Sequence, residues 1–169
     1  NAAVYWLARM VEGGEDPKFI ARRLIISASE DIGLANPNAL LIANNCFQAV
    51  QSVGWPESRI ILSQCTIYLA NSPKGNGAYV AINRAQQLVQ DTGNLGVPLP
   101  LRNAPTKLMK ELGYGEGYKY SHDFPGNFAP QEFLPIEIKG TNFYSAGSNA
   151  KEREVAENIQ RLWGTKYTK

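Results

Sequence analysis

The chain has 169 residues, of which 44% are hydrophobic and 19% are charged, and its formal net charge is +2. A chain of this length can bury roughly 70% of its extended surface, so it can fold without a disulfide or a metal. The composition argues against disorder, and the charge is too small to indicate nucleic-acid binding by itself. No apolar run approaches the ~20 residues that cross a bilayer and no signal-peptide pattern opens the chain, so we expect a cytoplasmic protein.

Residues 1–92 predict a bundle of five helices joined by short loops. A helical pattern is already in progress at Val4 and no Met starts the chain, so we expect further sequence before it. Gly13-Gly14 ends the first helix. Asp16-Pro17 and Asn36-Pro37 each place a capping side chain before a proline, the pattern that starts helices two and three.

Each of the later helices has a predicted buried face, marked by apolar residues at helical spacing. Helix two ends near Gly33, helix three ends at Gly54, helix four spans about 56–73 and helix five about 78–91. The residues assigned to these faces are Ile20, Leu24 and Ala28; Ala39, Ile42, Ala43, Cys46, Phe47, Val50 and Val53; Ile61, Cys65, Tyr68 and Leu69; and Ala78, Ala81, Ile82, Ala85 and Val89.

Residues 93–169 are expected to pack on this bundle as part of one structural unit. A short helix at 106–112 precedes a segment, 113–147, that is rich in Gly, Pro and aromatic residues and has no helical period. Because exposing so many aromatic rings to water is costly, we expect this segment to fold over the bundle or a neighbouring subunit, with a short hairpin as one arrangement. Asn149 and Glu152 have capping-box spacing, which starts a last helix.

Catalytic candidates are few. His122, the one histidine, stands beside Asp123, and a His-Asp pair near Cys46 or Cys65 would suggest nucleophilic catalysis. Both cysteines lie on predicted core faces, however, and one His with two separated Cys does not make a tetrahedral metal site. Adjacent carboxylates such as Glu30-Asp31 diverge by ~100° on a helix and cannot form a facing pair. We therefore predict no catalytic, cofactor-binding or metal-binding residue in this chain.

Basic residues are the candidates for contact with DNA or another anion. The loop 72–77 is glycine-rich, carries a lysine and precedes a helix, but it lacks the spacing of a phosphate-binding loop, so a plain turn is the alternative. The other basic residues could equally belong to solvated helix faces. The candidate residues are Arg22, Arg23, Lys74, Arg102, Lys107 and Lys110.

The run Leu-Arg-Asn-Ala-Pro-Thr-Lys-Leu-Met-Lys-Glu-Leu-Gly-Tyr-Gly at 101–115 closely resembles a segment of the replication-associated recombination protein A family. These bacterial AAA+ ATPases are also called maintenance of genome stability protein A, and Werner helicase-interacting protein is their eukaryotic relative. Supporting matches lie at 5–10, 13–17, 19–24, 28–33 and 120–123. Two departures are the glycines of the loop at 73–77, where the family more often has Ser and Ala, and the tail after residue 145. The signature residues are Arg102, Asn103, Ala104, Pro105, Thr106, Lys107, Gly113, Tyr114, Gly115, His122 and Asp123.

The resemblance is to the C-terminal part of such proteins, and it implies an AAA+ module upstream that would bind ATP and Mg²⁺. It further implies a mainly α fold, a multi-helix bundle resembling the collar of clamp loaders, through which copies of the protein form a homotetramer. The implied setting is nucleoid-associated, in DNA replication, recombination and repair. The implied partners are DNA, through the full-length protein, and fork proteins such as single-stranded DNA-binding protein.

Three hypotheses follow from the residues and the resemblance together. The first is a homo-oligomerisation domain, which needs apolar surface beyond the monomer core, supplied by segment 113–147 and outward residues of the bundle. The second is a module that recruits DNA or a protein through the six basic residues. The third, a hydrolase using His122, ranks last.

Overall fold

The computed structural model describes residues 1–167, and within that range the chain forms seven α-helices and no β-strand. The predicted mainly α fold is thus confirmed. The α-helices are α1 (Ala2–Glu12), α2 (Pro17–Ser27), α3 (Asn38–Val53), α4 (Ser58–Ala70), α5 (Gly77–Thr92), α6 (Lys107–Glu111) and α7 (Ala150–Trp163). A single π-helical turn (Ala28–Ile32) and a 3₁₀ turn (Gly33–Ala35) lie between α2 and α3.

The chain divides into two compact units. Unit 1 comprises residues 1–82 and 144–155, and unit 2 comprises residues 83–143 and 156–167 of the described chain. α5 and α7 each contribute residues to both units, and the boundary after residue 92 stays a prediction.

The core of unit 1 is built by α1 to α4. α2 packs on α3 and α4, α3 packs on α4, and α1 packs on α4. Most of the predicted faces of α2, α3 and α4 are confirmed, although Val53 is half exposed and Leu62, which was not assigned, is fully buried. The buried cluster consists of Leu7, Ile20, Ala21, Ala28, Ile32, Ala39, Ala43, Cys46, Val50, Leu62, Cys65 and Leu69.

The predicted start signals are confirmed at one helix and corrected at another. Asp16 caps α2, since its side chain accepts the Lys18 N–H at 2.9 Å. Asn36 does not cap α3 with its side chain. Its Nδ2 donates instead to the hydroxyls of Tyr68 and Ser72, at 3.0 Å each, and so ties the start of α3 to the end of α4.

The buried face predicted for α5 is wrong. No residue of α5 is buried, and Ile82 and Val89 are 55% and 62% exposed. Helical spacing identifies which side of a helix is apolar but not whether another element covers it. Apolar surface on α5 is therefore left open to solvent.

The aromatic-rich segment of unit 2 contains no hairpin, so that arrangement is wrong for the residues described. It forms 3₁₀ turns at Ser121–Asp123, Pro125–Asn127 and Ile136–Ile138. Prolines interrupt the segment, and each removes a backbone donor that a strand ladder would use. Two of its aromatic rings pack edge-on against Trp163 of α7, with centroid distances of 4.9 Å for Phe128 and 6.0 Å for Phe133.

Candidate functional site

A groove lined mainly by apolar side chains lies between α1 and α4 in unit 1. It is a cavity of 640 Å³ whose apolar lining comes from α1 and from Ile60 and Ile67 of α4. Glu12 and Arg59 also line it. Among the described residues, neither of these two charged side chains forms an ion pair. The groove therefore offers an apolar floor with one free charge of each sign.

The composition of α1 explains why the groove is open. Every residue of α1 except Arg9 and Glu12 is Ala, Val, Leu, Met, Tyr or Trp, and these two charged residues, three positions apart, lie on the same side of the helix. Only Leu7 is buried, whereas Trp6 is 60% exposed and stacks edge-on with Tyr5 at 5.4 Å. The apolar sides of a helix are normally covered by other elements. Among the described residues, α4 packs against one side of α1.

The loop 72–77 is held by its own chain. Lys74 Nζ donates to the Leu69 carbonyl oxygen at 3.2 Å, near the C-terminus of α4, and the Gly75 N–H donates to the Asp31 carbonyl oxygen at 2.9 Å. Lysine at this position satisfies a carbonyl group that the helix end leaves without an intrahelical partner. This arrangement favours the plain turn over an anion-binding loop.

A buried carboxylate beside this loop reinforces the same conclusion. Glu152 is buried, and an added Cβ at Gly75 or Gly147 would come within 2.5 or 2.6 Å of its Oε2 atom. The carboxylate accepts hydrogen bonds from Asn149 Nδ2 and from the Tyr144 hydroxyl, the latter at 3.3 Å. A negative group in this position would repel a phosphate.

One of the two hydrogen bonds that define the predicted capping box is formed. Asn149 Oδ1 accepts the Glu152 N–H at 3.0 Å, as the pattern requires, but the Glu152 carboxylate turns into the glycine-lined recess. Burial, the Glu152 charge and the hydrogen bond to Glu152 all raise the pKa of Tyr144. Glu152 was predicted only as a cap. The glycines at 75 and 77, which depart from the family pattern, were the available signal for the recess.

The six basic candidates fall in both units. Arg22, Arg23 and Lys74 belong to unit 1, and Arg102, Lys107 and Lys110 to unit 2. Arg22 and Arg23 are exposed on α2, while Lys107 lies 3.8 Å from Glu111 in an exposed i,i+4 pair. DNA contact through these residues stays a prediction.

The signature run at 101–115 has a structural use within unit 2. Arg102 donates through Nε to the Val97 carbonyl oxygen at 2.6 Å, and its guanidinium lies 5.0 Å from the ring centroid of Tyr114. Thr106 caps α6 by accepting the Met109 N–H at 3.3 Å. These contacts hold the extended, proline-containing stretch before the run close to α6 and to the residues that follow it.

His122 and the two cysteines, which were considered together as catalytic candidates, belong to different units. His122 is exposed in unit 2 and its ring packs 5.1 Å from that of Tyr120, whereas both cysteines belong to unit 1. Asp31 accepts the Ser27 hydroxyl at 2.7 Å, one turn away on the same helical run. No group of three or more His, Cys, Asp and Glu side chains suited to a metal occurs among residues 1–167.

Seven α-helices without a strand over residues 1–167 place the protein in the all-α class. The chain belongs to the family described as MgsA AAA+ ATPase C terminal, whose model matches residues 1–163. The resemblance inferred from the signature residues is thus confirmed. None of the described helices is long and apolar enough to cross a membrane.

Individual relatives agree with this assignment. An uncharacterised protein of Thermotoga maritima is 49% identical over 168 residues, which cover 99% of this chain and 27% of the relative. Replication-associated recombination protein A of Haemophilus influenzae is 43% identical, over 96% of this chain and 36% of its own length. ATPase WRNIP1 of Dictyostelium discoideum is 43% identical, over 85% of this chain and 17% of its own. The chain thus covers between 17% and 36% of the length of these three relatives.

Proposed function

We propose that this chain is the homo-oligomerisation domain of an AAA+ ATPase that acts in replication-fork maintenance, recombination and repair. The observation that carries the proposal is α1, a helix in which all residues but Arg9 and Glu12 are apolar and only Leu7 is buried. Family membership supports the link to an ATPase, and the names of relatives support the link to replication and recombination. A second copy of the chain is the proposed cover for α1.

The exposed apolar area is of the size that such an interface needs. Ile60 and Ile67 of α4, which line the groove, and Tyr5, Trp6 and Met10 of α1, which lie outside it, are each between 42% and 60% exposed. Half-exposed side chains of this size each leave on the order of 100 Å² uncovered, or about 500 Å² per copy. Two copies would bury about 1,000 Å² through these side chains alone, and rim atoms would bring the total near the ~1,200 Å² of a stable interface.

Charge complementarity favours a second copy over an unrelated partner. In a twofold contact the same surface meets itself, so Glu12 of one copy can face Arg59 of the other, and the reverse pair forms at the same time. Both side chains line the groove, and neither has an ion-pair partner among the described residues.

Light scattering coupled to size-exclusion chromatography tests the proposal, with a matched pair of variants. Ile60→Arg puts a charge in the groove, whereas Ile136→Arg puts the same charge at a site in unit 2 that is 74% exposed. We expect the unmodified chain to run as an oligomer, a tetramer in the proposed form, and Ile60→Arg to dissociate. Ile136→Arg should keep the original mass. A monomeric unmodified chain at micromolar concentration, or equal behaviour of the two variants, would contradict the proposal.

For the full-length protein we propose ATP and Mg²⁺ as cofactors bound outside this chain, and DNA and fork proteins, including single-stranded DNA-binding protein, as partners. Its proposed location is the cytoplasm, with the nucleoid. ATPase turnover stimulated by forked DNA, lowered in full-length protein by the Ile60→Arg change alone, would support the assembly role.

A further inference from the structure

The outer face of α2 carries three exposed basic side chains, Lys18, Arg22 and Arg23. Phe19 precedes the two arginines by three and four positions, and Ile26 follows them by the same intervals, so the four side chains share one side of the helix. Phe19 is 41% exposed and Ile26 is 39% exposed. Two apolar side chains therefore flank a pair of guanidinium groups on one exposed helix face.

No acidic side chain pairs with this face within the part of the chain that the structure describes. None of the three basic residues forms an ion pair there. α2 packs on α3 and α4, and α3 has no charged residue, whereas the one charged residue of α4 is Arg59, a further cation. The nearest carboxylates along the chain lie at the two ends, where Asp16 caps α2 and Glu30 follows in the π-helical turn. The face therefore has an excess of positive charge.

We propose that this face of α2 is a docking site for an acidic peptide in which carboxylates alternate with apolar side chains. Arg22 and Arg23 hold the carboxylates, since a guanidinium group and a carboxylate form paired hydrogen bonds. Phe19 and Ile26 contact the apolar side chains of the peptide. No residue of α2 lines the groove of the assembly role, so the proposal is independent of the proposed function.

The apolar side chains favour a peptide over a nucleic acid. An aromatic ring such as Phe19 can stack on a base, but the aliphatic Ile26 offers a base no ring. The net charge of +2 is also small for a chain that binds a phosphate backbone.

The spacing on α2 defines the peptide. Ile26 follows Phe19 by seven positions, which is ~10 Å along the helix axis. In a polyproline II conformation, which unfolded peptides commonly adopt, every third side chain returns to the same side after ~9 Å. A repeat of Leu-Asp-Asp therefore places successive leucines at the distance between Phe19 and Ile26, with carboxylates between them.

Fluorescence anisotropy of a labelled peptide made of four Leu-Asp-Asp repeats tests the proposal. We expect the unmodified chain to bind it, and binding to weaken when the ionic strength rises from ~0.1 to ~1 M, because the Debye length shortens from about 10 Å to about 3 Å. The same peptide with serine in place of leucine should bind more weakly. With lysine in place of aspartate it should not bind.

Two double variants separate the α2 face from net charge. Arg22→Ala with Arg23→Ala should raise the dissociation constant about tenfold, because each exposed ion pair contributes a factor of up to about five. Arg84→Ala with Arg153→Ala removes the same charge from exposed positions of α5 and α7 and should bind as the unmodified chain does. Phe19→Ala should weaken binding with no change of charge. Because these positions are exposed, circular dichroism should show an unchanged helix content in each variant.

The proposal would be overturned if the unmodified chain does not bind the peptide, or if the two double variants bind it equally. Tighter binding of a labelled oligothymidylate than of the peptide would assign the face to nucleic acid instead. A lower mass of the Arg22→Ala, Arg23→Ala variant in light scattering would show that a second copy covers α2, and would also overturn it. Ile60→Arg leaves α2 unchanged and should bind the peptide normally, so the failure of the assembly role and the failure of this docking site are distinguishable.

Discussion

Replacing the buried Glu152 by Ala should destabilise unit 1 far more than a carboxylate-to-methyl change on the surface. Its carboxylate accepts hydrogen bonds from the Tyr144 hydroxyl and from Asn149 Nδ2 and fills a recess beside Gly75 and Gly147. The substitution leaves two partly buried donors without their acceptor and leaves the recess empty.

The magnitude follows from these contacts. A hydrogen bond to a charged group contributes roughly 1.5–3 kcal/mol, and the 3.3 Å bond from Tyr144 belongs at the lower end. The cavity adds to the cost, whereas removing a buried charge recovers part of its desolvation penalty. We expect the free energy of unfolding to fall by about 3 kcal/mol in total. At this chain length the melting temperature should fall by roughly 6–12 °C.

Glu154→Ala is the matched control, because Glu154 lies two residues away on the same helix. Its side chain is 64% exposed and pairs at 2.9 Å with Lys151. An exposed pair of this kind contributes less than ~1 kcal/mol. Urea unfolding followed by circular dichroism measures both variants. If Glu152→Ala unfolds at the same urea concentration as Glu154→Ala, the recess does not hold the carboxylate as described.

Three further predictions concern both units. Gly147→Ala should cost about 1–3 kcal/mol, since its Cβ would lie 2.6 Å from Glu152 Oε2, and most of that cost should vanish in a Glu152→Ala background when a double-mutant cycle is measured by urea unfolding. Trp163→Ala should cost about 2–3 kcal/mol and broaden the aromatic side-chain signals of unit 2 in NMR spectra; unchanged signals would contradict the cluster. Burial would raise the pKa of Glu132, but the Leu134 N–H and the Lys166 ammonium at 3.0 Å outweigh it and the pKa is lowered. The resulting stabilisation is complete above the unfolded pKa near ~4.3 and is lost as the pH falls through the lower folded pKa. Glu132→Gln should therefore flatten the acid limb of the stability profile, and an unchanged limb would refute this role of the pair.

The helices of unit 1 could be predicted from sequence because two physical signals coincide there. Apolar residues recur at helical spacing, and glycine or a proline next to a capping residue marks the ends. Asp16 caps α2 as the pattern indicates. Asn36 shows the limit of such signals. An amide side chain that can cap its own helix can also donate to hydroxyls at the end of another helix, and in this structure Asn36 makes the second kind of contact.

The exposure of α5 and the absence of a hairpin at 113–147 could not be predicted, for different reasons. Spacing describes one helix, whereas burial depends on a second element that must cover it. Aromatic residues are enriched in strands, but they also fill irregular segments when a ring such as Trp163 supplies a packing partner.

The candidate surfaces were predictable in part. The composition of α1 already showed a helix with too few polar residues for a solvated face, but the sequence does not show which side of it α4 packs against. The recess around Glu152 depends on residues far apart in the chain. The glycines at 75 and 77 indicated close approach of another group without identifying it.

The recess also sets an order of events during synthesis. The helices α1 to α4 are complete once residue 70 has been made, so their core can form while the ribosome is still translating. Glu152, which fills the recess beside residues 75–77, follows ~75 residues later, a delay of about 4–15 s at elongation rates of ~5–20 residues per second. During that interval the recess beside the four-helix core is empty, and its polar groups have no carboxylate to bond until α7 has been synthesised.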